Sequence, residues 1–404
     1  MAESFGALLR ECRLAAGISM GELARRVNYS KSYLSKIEND VKPPNATVAR
    51  LCDGVLDAGG ALIGAARTAR ERTDSAVELD GLDRRQLLAG AGTLLGIALA
   101  GGPRPVPDEQ VVVGLRTSFE QLRRLGMQTS PAVVLEPLVA QVRTVHALAR
   151  ENPEPVRSRL LVLAGRTAEY TGWQSQEAGN EPGALWWTRY AAELARAGGD
   201  REIARYALVR EAGIALYRQD PISTIDLARQ AQREGRAAGS RLLGLAARRE
   251  AQGHALAGDR DACERALDRA ANLLQSSTVD IRPYSVLGST APEPLALARG
   301  WALVDLGRVG EAATLLDREV ARLPATARRT RARFGARRSL AYALAGEIDK
   351  SCVTLAETID DAAHVDSATV RADLRELARS LSRWRGHHAV REILPELSRV
   401  LHRY

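Results

Sequence analysis

Apolar residues in the first seventy positions recur at the three- and four-residue spacing of short helices, and each run follows a good helix-capping residue. The capping residues are Ser4, Ser19, Ser30 and Asn45. Their side-chain oxygens can accept a hydrogen bond from a free backbone N–H of the first turn. Gly17 ends the first run, and Pro43-Pro44 stops the third. The pattern predicts five helices: 5–16, 20–27, 31–39, one after residue 45, and 61–70.

From about residue 108 onward, a helical pattern is interrupted by similar short turns. The aligned turn positions, at steps of 40, 39, 49 and 39 residues, are Gly179, Gln219, Gly258, Gly307 and Gly346. The long step contains a Ser- and Pro-rich insert over 276–294. Small residues recur after the turns, which lets neighbouring helices approach closely, as in a solenoid. The expected fold is all-α, with a five-helix N-terminal domain and a C-terminal helical solenoid.

Residues 71–107 are predicted to link these two parts. Residues 71–83 are polar and acidic, and 101–107 are rich in Gly and Pro, as in a stiffer connection. Between them, the apolar segment Leu87–Ala100 follows Arg84-Arg85, which looks like a twin-arginine export signal. The segment lies behind a predicted folded domain and is too short to span a membrane. We interpret it as a buried or interfacial helix, with export as the alternative.

Composition narrows the class of protein. The formal net charge of +8 is modest, and it favours an anionic partner such as nucleic acid. Aromatic residues make up only 4% of a chain dominated by Ala, Leu and Arg, which excludes a large β-sandwich or barrel. The N-terminus has no secretory pattern, and the cysteines are too far apart for a zinc motif, so a reducing cytoplasm is expected. The cysteines are Cys12, Cys52, Cys263 and Cys352.

The most specific motif runs from Leu23 to Glu38, LARRVNYSKSYLSKIE. Its apolar residues Leu23, Val27, Leu34 and Ile37 supply the packing faces of two short helices. Asn28 occupies the turn between them, where a positive φ is expected and Asn is the best substitute for Gly. Residues 5–65 resemble the XRE/Cro family of lambda-repressor-like helix-turn-helix domains. That resemblance implies a DNA-binding domain whose recognition helix begins near residue 31.

The face of this recognition helix that packing leaves free is polar. Three of the chain's four lysines lie on or beside it, although 53 arginines are spread throughout. The predicted DNA-binding residues are Ser30, Lys31, Ser32, Tyr33, Ser35, Lys36, Lys42 and Asn45. Residues 1–56 carry a net charge of only +2, so phosphate attraction is moderate and a monomer should bind weakly. The alternative is a helix-turn-helix retained only for protein contacts.

The C-terminal half resembles tetratricopeptide (TPR) repeats in a loose, slightly lengthened form. The closest match to a TPR first helix is RGWALVDLG over Arg299–Gly307. The whole arrangement is similar to actinobacterial XRE–TPR regulators of development and secondary metabolism, which the Tyr170–Trp173 region suits best. It also resembles peptide-pheromone-responsive regulators, but no peptide-clamping Asn pattern recurs on successive repeats.

Three further features could carry chemistry. The arginine run over 328–338 is interpreted as a solvated helix face, or alternatively as an anion site. Trp186, Trp187 and Tyr190 mark a candidate effector groove or a subunit contact, with packing between repeats as the alternative. The six histidines fall into no metal-ligand spacing, and no phosphate loop or catalytic constellation is present. Neither a metal, nor a cofactor, nor enzymatic activity is expected.

Together these patterns predict a cytoplasmic, sequence-specific transcriptional regulator that binds a double-stranded DNA operator. One recognition helix reads only a few base pairs, so we expect a homodimer assembled outside the helix-turn-helix. The solenoid would mediate dimerisation and sense a small-molecule or peptide effector in its groove, and no membrane is involved. The alternative is an interaction scaffold in which the helix-turn-helix serves assembly only.

Overall fold

A computed structural model describes residues 4–74, 109–233, 239–275 and 295–402, and every regular element in these ranges is helical. Five helices form the N-terminal domain: α1 (Phe5–Ala15), α2 (Met20–Arg26), α3 (Lys31–Glu38), α4 (Ala46–Leu56) and α5 (Ala61–Asp74). The predicted caps are confirmed for the first four. Each of these capping side chains accepts a hydrogen bond of 2.8–3.2 Å from the backbone N–H three residues ahead.

Fourteen further helices in the described ranges form a helical array. They are α6 (Glu109–Gln128), α7 (Pro131–Glu151), α8 (Val156–Glu177), α9 (Glu181–Ala197), α10 (Arg201–Tyr217), α11 (Pro221–Arg233), α12 (Ser240–Ala257), α13 (Arg260–Gln275), α14 (Leu295–Asp305), α15 (Val309–Ala321), α16 (Arg328–Ala345), α17 (Ile348–Val365), α18 (Ala368–Leu381) and α19 (His388–Leu401). A single 3-10 turn, Ser382–Trp384, lies between α18 and α19.

Successive array helices pack as antiparallel pairs, such as α8 with α9, α12 with α13 and α16 with α17. The turn inside each predicted pair contains a residue with positive φ, which reverses the chain within a few residues. These residues are Gly179 (85°), Gln219 (61°), Gly258 (84°), Gly307 (74°) and Gly346 (84°). The expected all-α fold, with helix-turn-helix elements followed by stacked helix pairs, is confirmed.

The two ends of the array contact each other: α6 packs against α16 and α17, and α8 packs against α18. Glu177, at the end of α8, is buried in this closure. Its carboxylate accepts hydrogen bonds from Arg329 (2.7 Å), Arg333 (3.1 Å), Ser367 (2.5 Å) and Thr369 (2.9 Å). Burial alone would raise the pKa of Glu177, but the two guanidiniums hold it below its ordinary value. One carboxylate therefore joins segments that are 152 to 192 residues apart in the sequence.

The arginine run over 328–338 is neither a solvated face nor an anion site, and both interpretations are wrong. Four of its six guanidinium-bearing side chains are buried, and all six have carboxylate partners on other helices or turns. The pairs are Arg328–Asp360, Arg329–Glu177, Arg331–Asp361, Arg333–Glu177, Arg337–Asp373 and Arg338–Glu357. An anion site needs uncompensated positive charge, whereas these charges hold the array together.

Helix α7 is long and rich in apolar residues. Among the described helices it is the one long and apolar enough to cross a membrane by length and composition. In the structure it packs against α6 and α8, and Val134, Leu138 and Val142 point into their common core. Its apolar stripe is thus used for packing within the array. The Arg84-Arg85 motif, the segment Leu87–Ala100 and the insert over 276–294 lie outside the described residues.

The N-terminal domain and the array share one apolar core. Leu9, Leu23 and Leu34 of the N-terminal domain belong to the same continuous cluster of buried side chains as Trp301 and Leu340 of the array. The N-terminal domain is therefore docked on the array through packed side chains as well as joined to it through residues 75–108.

Candidate nucleic-acid interface

Helices α2 and α3 form the helix-turn-helix that the sequence predicts. Leu23, Val27, Leu34 and Ile37 are all fully buried between these helices and their neighbours. Asn28 has a φ of 54°, so the turn has the left-handed backbone expected of it. The packing of α2 on α3 leaves one face of α3 for other contacts.

That free face carries the short polar and basic side chains of α3, the helix that the sequence predicts as the recognition helix. Lys31, Ser32 and Lys36 are exposed, and Ser35 is half-buried. Ser30, also exposed, caps α3 by accepting a hydrogen bond from the backbone N–H of Tyr33 at 3.2 Å. The cap thus fixes the start of α3, and Lys31 and Ser32 of its first turn are exposed to solvent.

The other three predicted DNA-binding residues gather around one aromatic ring. Tyr33 stacks on Tyr29 with ring centroids 5.3 Å apart, and the ammonium of Lys42 lies 4.6 Å from the Tyr33 centroid. The side-chain amide of Asn45 donates to the Tyr33 hydroxyl at 3.3 Å, and its oxygen caps α4. Tyr33, Lys42 and Asn45 therefore form one cluster at the edge of the free face of α3, and each has a structural role within the domain.

The acidic residues near α3 are engaged away from its free face. Glu38 accepts two hydrogen bonds of 2.8 Å from Arg13, and the two carboxylate oxygens of Asp40 accept hydrogen bonds from Ser4 and the Gly6 backbone N–H. A hydrogen bond from Arg26 is the largest of the effects that lower the pKa of the Glu22 carboxyl. Each of these acids thus has a partner inside the domain, away from the lysines of α3.

The turn of the helix-turn-helix is itself held by the array. The side-chain amide of Asn28 donates to the backbone carbonyl of Leu344 at 3.0 Å, and Arg383 donates to the Asn28 carbonyl at 2.9 Å. The Arg383 guanidinium also lies 4.0 Å from the centroid of the Tyr29 ring. The sequence indicates Asn28 only as a turn residue, because nothing local to it points to partners more than 300 residues away.

A buried arginine fastens the second face of the N-terminal domain. Arg50 of α4 has 6% of its side chain exposed and pairs with Glu376 of α18 and with Asp305 of α14, 3.7 Å away. It also donates to the side-chain oxygen of Gln219 at 3.2 Å. Burial opposes ionisation of Glu376, but the charges of Arg50 and Arg337 keep its pKa lowered. Arg50 therefore connects three separate repeats of the array to one helix of the N-terminal domain.

The backbone of α4, and that of the segment before α5, contact the backbone of two turns of the array. A Cβ atom on Gly54 would lie 2.6 Å from the carbonyl oxygen of Leu306, and one on Gly60 would lie 2.1 Å from that of Ala257. Both distances are far below van der Waals contact. Glycine at these two positions therefore permits the N-terminal domain to sit directly on the turns that follow α12 and α14.

The aromatic residues proposed for an effector groove lie together on α9. The Trp186 and Trp187 ring centroids are 4.7 Å apart, and Trp186 stacks on Tyr190 at 5.0 Å. Trp186 is 56% exposed, whereas Trp187 packs on the core, and the Tyr190 hydroxyl lies 2.7 Å from Nδ1 of His146. The cluster thus combines one exposed indole with two rings that support it.

Comparison with known proteins concerns the same N-terminal segment. A family model described as a helix-turn-helix domain matches residues 4–66. No curated protein and no solved structure matches the chain. The matched residues contain α1 to α4, the turn at Asn28 and all eight predicted DNA-binding residues. The N-terminal domain is therefore a helix-turn-helix domain, a kind of domain that typically binds DNA.

Proposed function

We propose that the protein is a sequence-specific DNA-binding transcriptional regulator of the cytoplasm, without enzymatic activity. The observation that carries the proposal is the free face of α3, where Lys31 and Lys36 have no acidic partner among the described residues. Short polar and basic side chains at that end of a recognition helix can donate to base edges in the major groove. In this proposal Ser30, Ser32, Tyr33, Ser35, Lys42 and Asn45 complete the contact surface.

The docking of the N-terminal domain favours DNA binding over the scaffold alternative. Contacts with the array come from the turn at Asn28, from Arg50 and Gly54 of α4, and from Gly60. These positions lie outside the polar face of α3, which stays exposed in the docked arrangement. A domain kept only for assembly would have no use for that polar face. We propose that the array presents α3 to the operator in a set orientation.

We propose that the array is a TPR-like sensor and dimerisation domain of an XRE-type regulator, with boundaries at 1–70, 71–107 and 108–404. Its repeated turns and antiparallel pairs support that interpretation. The exposed Trp186 ring, with Trp187 and Tyr190 behind it, offers a flat apolar surface for a small-molecule or peptide effector. The likeness to actinobacterial XRE–TPR regulators belongs to this proposal.

We expect Lys31→Ala, Ser32→Ala and Lys36→Ala, combined in one chain, to lower operator affinity at least about a hundredfold. Each lost base contact costs about 1–3 kcal/mol, whereas exposed substitutions change stability by only about 0.5 kcal/mol. The operator is first selected from genomic fragments with the purified wild-type protein. Gel-shift titrations of the selected fragment then compare the two chains.

The matched control for that experiment is Arg150→Ala, which removes one exposed positive charge at the end of α7. It should leave operator affinity unchanged, because its charge lies outside the N-terminal domain. If the triple variant is folded and binds the operator as tightly as the control, α3 is not the recognition helix.

We expect two chains on each operator. The N-terminal domain has little net charge, so useful affinity needs two recognition helices on half-sites about 34 Å apart, or a multiple of that distance. Sedimentation of the protein–operator complex should give a 2:1 stoichiometry. Inserting about five base pairs, half a helical turn, between the half-sites should weaken binding. A 1:1 complex that tolerates the insertion would overturn the dimer proposal.

A further inference from the structure

Two histidines and one aspartate meet at the surface where α17 and α19 begin. Asp349 lies in the first turn of α17, His387 precedes α19, and His388 is its first residue. Nε2 of His387 is 3.8 Å from one carboxylate oxygen of Asp349, and Nε2 of His388 is 3.9 Å from the other. The ligand-type atoms of all three residues lie within 4.8 Å of one another.

The spacing of these atoms suits a bridging cation better than direct bonding. Both distances are longer than a hydrogen bond, so no hydrogen bond joins the imidazoles to the carboxylate. Donor atoms around a tetrahedral zinc ion, with bonds of about 2.0–2.1 Å, lie about 3.3 Å apart. Closing from separations of up to 4.8 Å to that spacing requires shifts of about 0.5 to 1.5 Å, which the exposed Asp349 and His388 side chains can make. Three ligands leave the fourth position for water.

The two histidine rings are arranged so that Nε2 is the atom available to a ligand. The rings stack with centroids 4.8 Å apart, which brings both Nε2 atoms to the same carboxylate. Nδ1 of His387 is buried and has no hydrogen-bond partner among the described residues. Lys350, which follows Asp349 in the chain, is engaged by Glu347. Sequence spacing gives no hint of this site, because Asp349 and the histidines are brought together only by the fold.

The cluster lies beside the two segments that hold the turn of the helix-turn-helix. The last turn of α16, just before α17, supplies the Leu344 carbonyl that accepts from Asn28, and Gly346 packs against the same asparagine side chain. Arg383, four residues before His387, donates to the Asn28 carbonyl and covers Tyr29. An ion bound across the cluster would tie these two segments to each other.

We propose that Asp349, His387 and His388 bind one divalent transition-metal ion of the zinc class. This ion strengthens the contact between the turn of the helix-turn-helix and the array. Zinc, nickel and copper bind a donor set of imidazole nitrogen and carboxylate oxygen more readily than magnesium or calcium do. The metal site stands on the geometry of the three side chains. Its effect on DNA binding rests on the proposed function.

The test uses the full-length protein after removal of metal with a chelator, titrated with Zn²⁺ by calorimetry. The wild type should bind one equivalent, and His387→Gln with His388→Gln should lower the affinity at least about tenfold, as should Asp349→Asn. The matched control is His364→Gln, because His364 forms an exposed pair with Asp360 but has no second histidine. Equal Zn²⁺ affinity in the wild type and in both cluster variants, or loss in the control as well, overturns the site.

Operator binding, measured by fluorescence anisotropy with and without Zn²⁺, tests the coupling. The wild type should gain about fivefold or more in affinity with Zn²⁺, and the cluster variants should gain nothing. If Zn²⁺ binds at the cluster but operator affinity does not change, the coupling is overturned. If no DNA is bound under any condition, the proposed function fails, while calorimetry still decides the metal site.

Discussion

Replacing Arg50 by Met should lower the free energy of unfolding of the full-length protein by about 3–5 kcal/mol. Arg50 is buried, and its removal leaves Glu376 without its shortest ion pair and Asp305 with only the more distant charge of Arg337, at 3.9 Å. Breaking a buried pair by removing one partner has a cost of this size, because a desolvated charge remains. Burial raises the pKa of Asp305, and Arg50 is one of the two arginines whose charges oppose that rise, so the ionised carboxylate loses one of its two counter-charges. Chemical denaturation followed by circular dichroism measures the change.

Two further variants make the Arg50 result specific. Arg25→Met removes an arginine of the same domain that is 79% exposed and should change stability by no more than about 0.5 kcal/mol. Replacing both members of the closer pair, Arg50→Met with Glu376→Met, should recover the part of the loss that comes from Glu376, since an apolar pair of similar volume is often tolerated. If Arg50→Met is as stable as Arg25→Met, α4 is not fastened to the array in solution.

The Arg50→Met variant also tests how the array contributes to DNA binding. If docking orients α3, loosening α4 should weaken operator binding even though every residue of the recognition face is unchanged. Asn28 and Arg383 would still hold the turn, so the N-terminal domain would pivot and remain attached. We therefore expect a larger loss of affinity on an operator with two half-sites than on a single half-site.

Local features of this chain are those that the sequence predicts well. A cap such as Ser30 needs only a backbone N–H three residues ahead, and the positive φ of Asn28 depends on its own side chain and the adjoining helices. Turns such as the one at Gly258 recur because each helix pair must reverse the chain within a few residues. These parts of the fold, and the exposed face of α3, follow from spacing and residue type alone.

Long-range charge pairing is what the sequence does not reveal. The run that contains Arg329 and Arg333 has no acid within it, so it is predicted as exposed; its main partner, Glu177, is more than 150 residues away. The contact of Asn28 with the array likewise depends on a partner that is 316 residues away in the sequence. Which charges are compensated is decided by how the array curves, and helical periodicity carries no information on that curvature.

Glu177→Ala should destabilise the array by about 3–5 kcal/mol, because it leaves two guanidiniums in the closure without their main partner. Arg329 and Glu177 have only 2% and 1% of their side chains exposed, so water cannot replace the lost carboxylate. Arg329 would keep only the carbonyl oxygens of Gly126 and Thr129 as acceptors. The measurement is chemical denaturation of the full-length chain at neutral pH.

A pH series separates this effect from simple loss of packing. The folded-state pKa of Glu177 is lowered, so its stabilisation is present above the ordinary value of 4.5 and is lost as the pH falls below it. The difference in stability between wild type and Glu177→Ala should therefore shrink in acid. Glu181→Ala, which removes an exposed partner of Arg218 from the next helix, is the matched control and should be nearly neutral at every pH. A Glu177→Ala chain as stable as this control would mean that the closure between α8 and α16 is absent in solution.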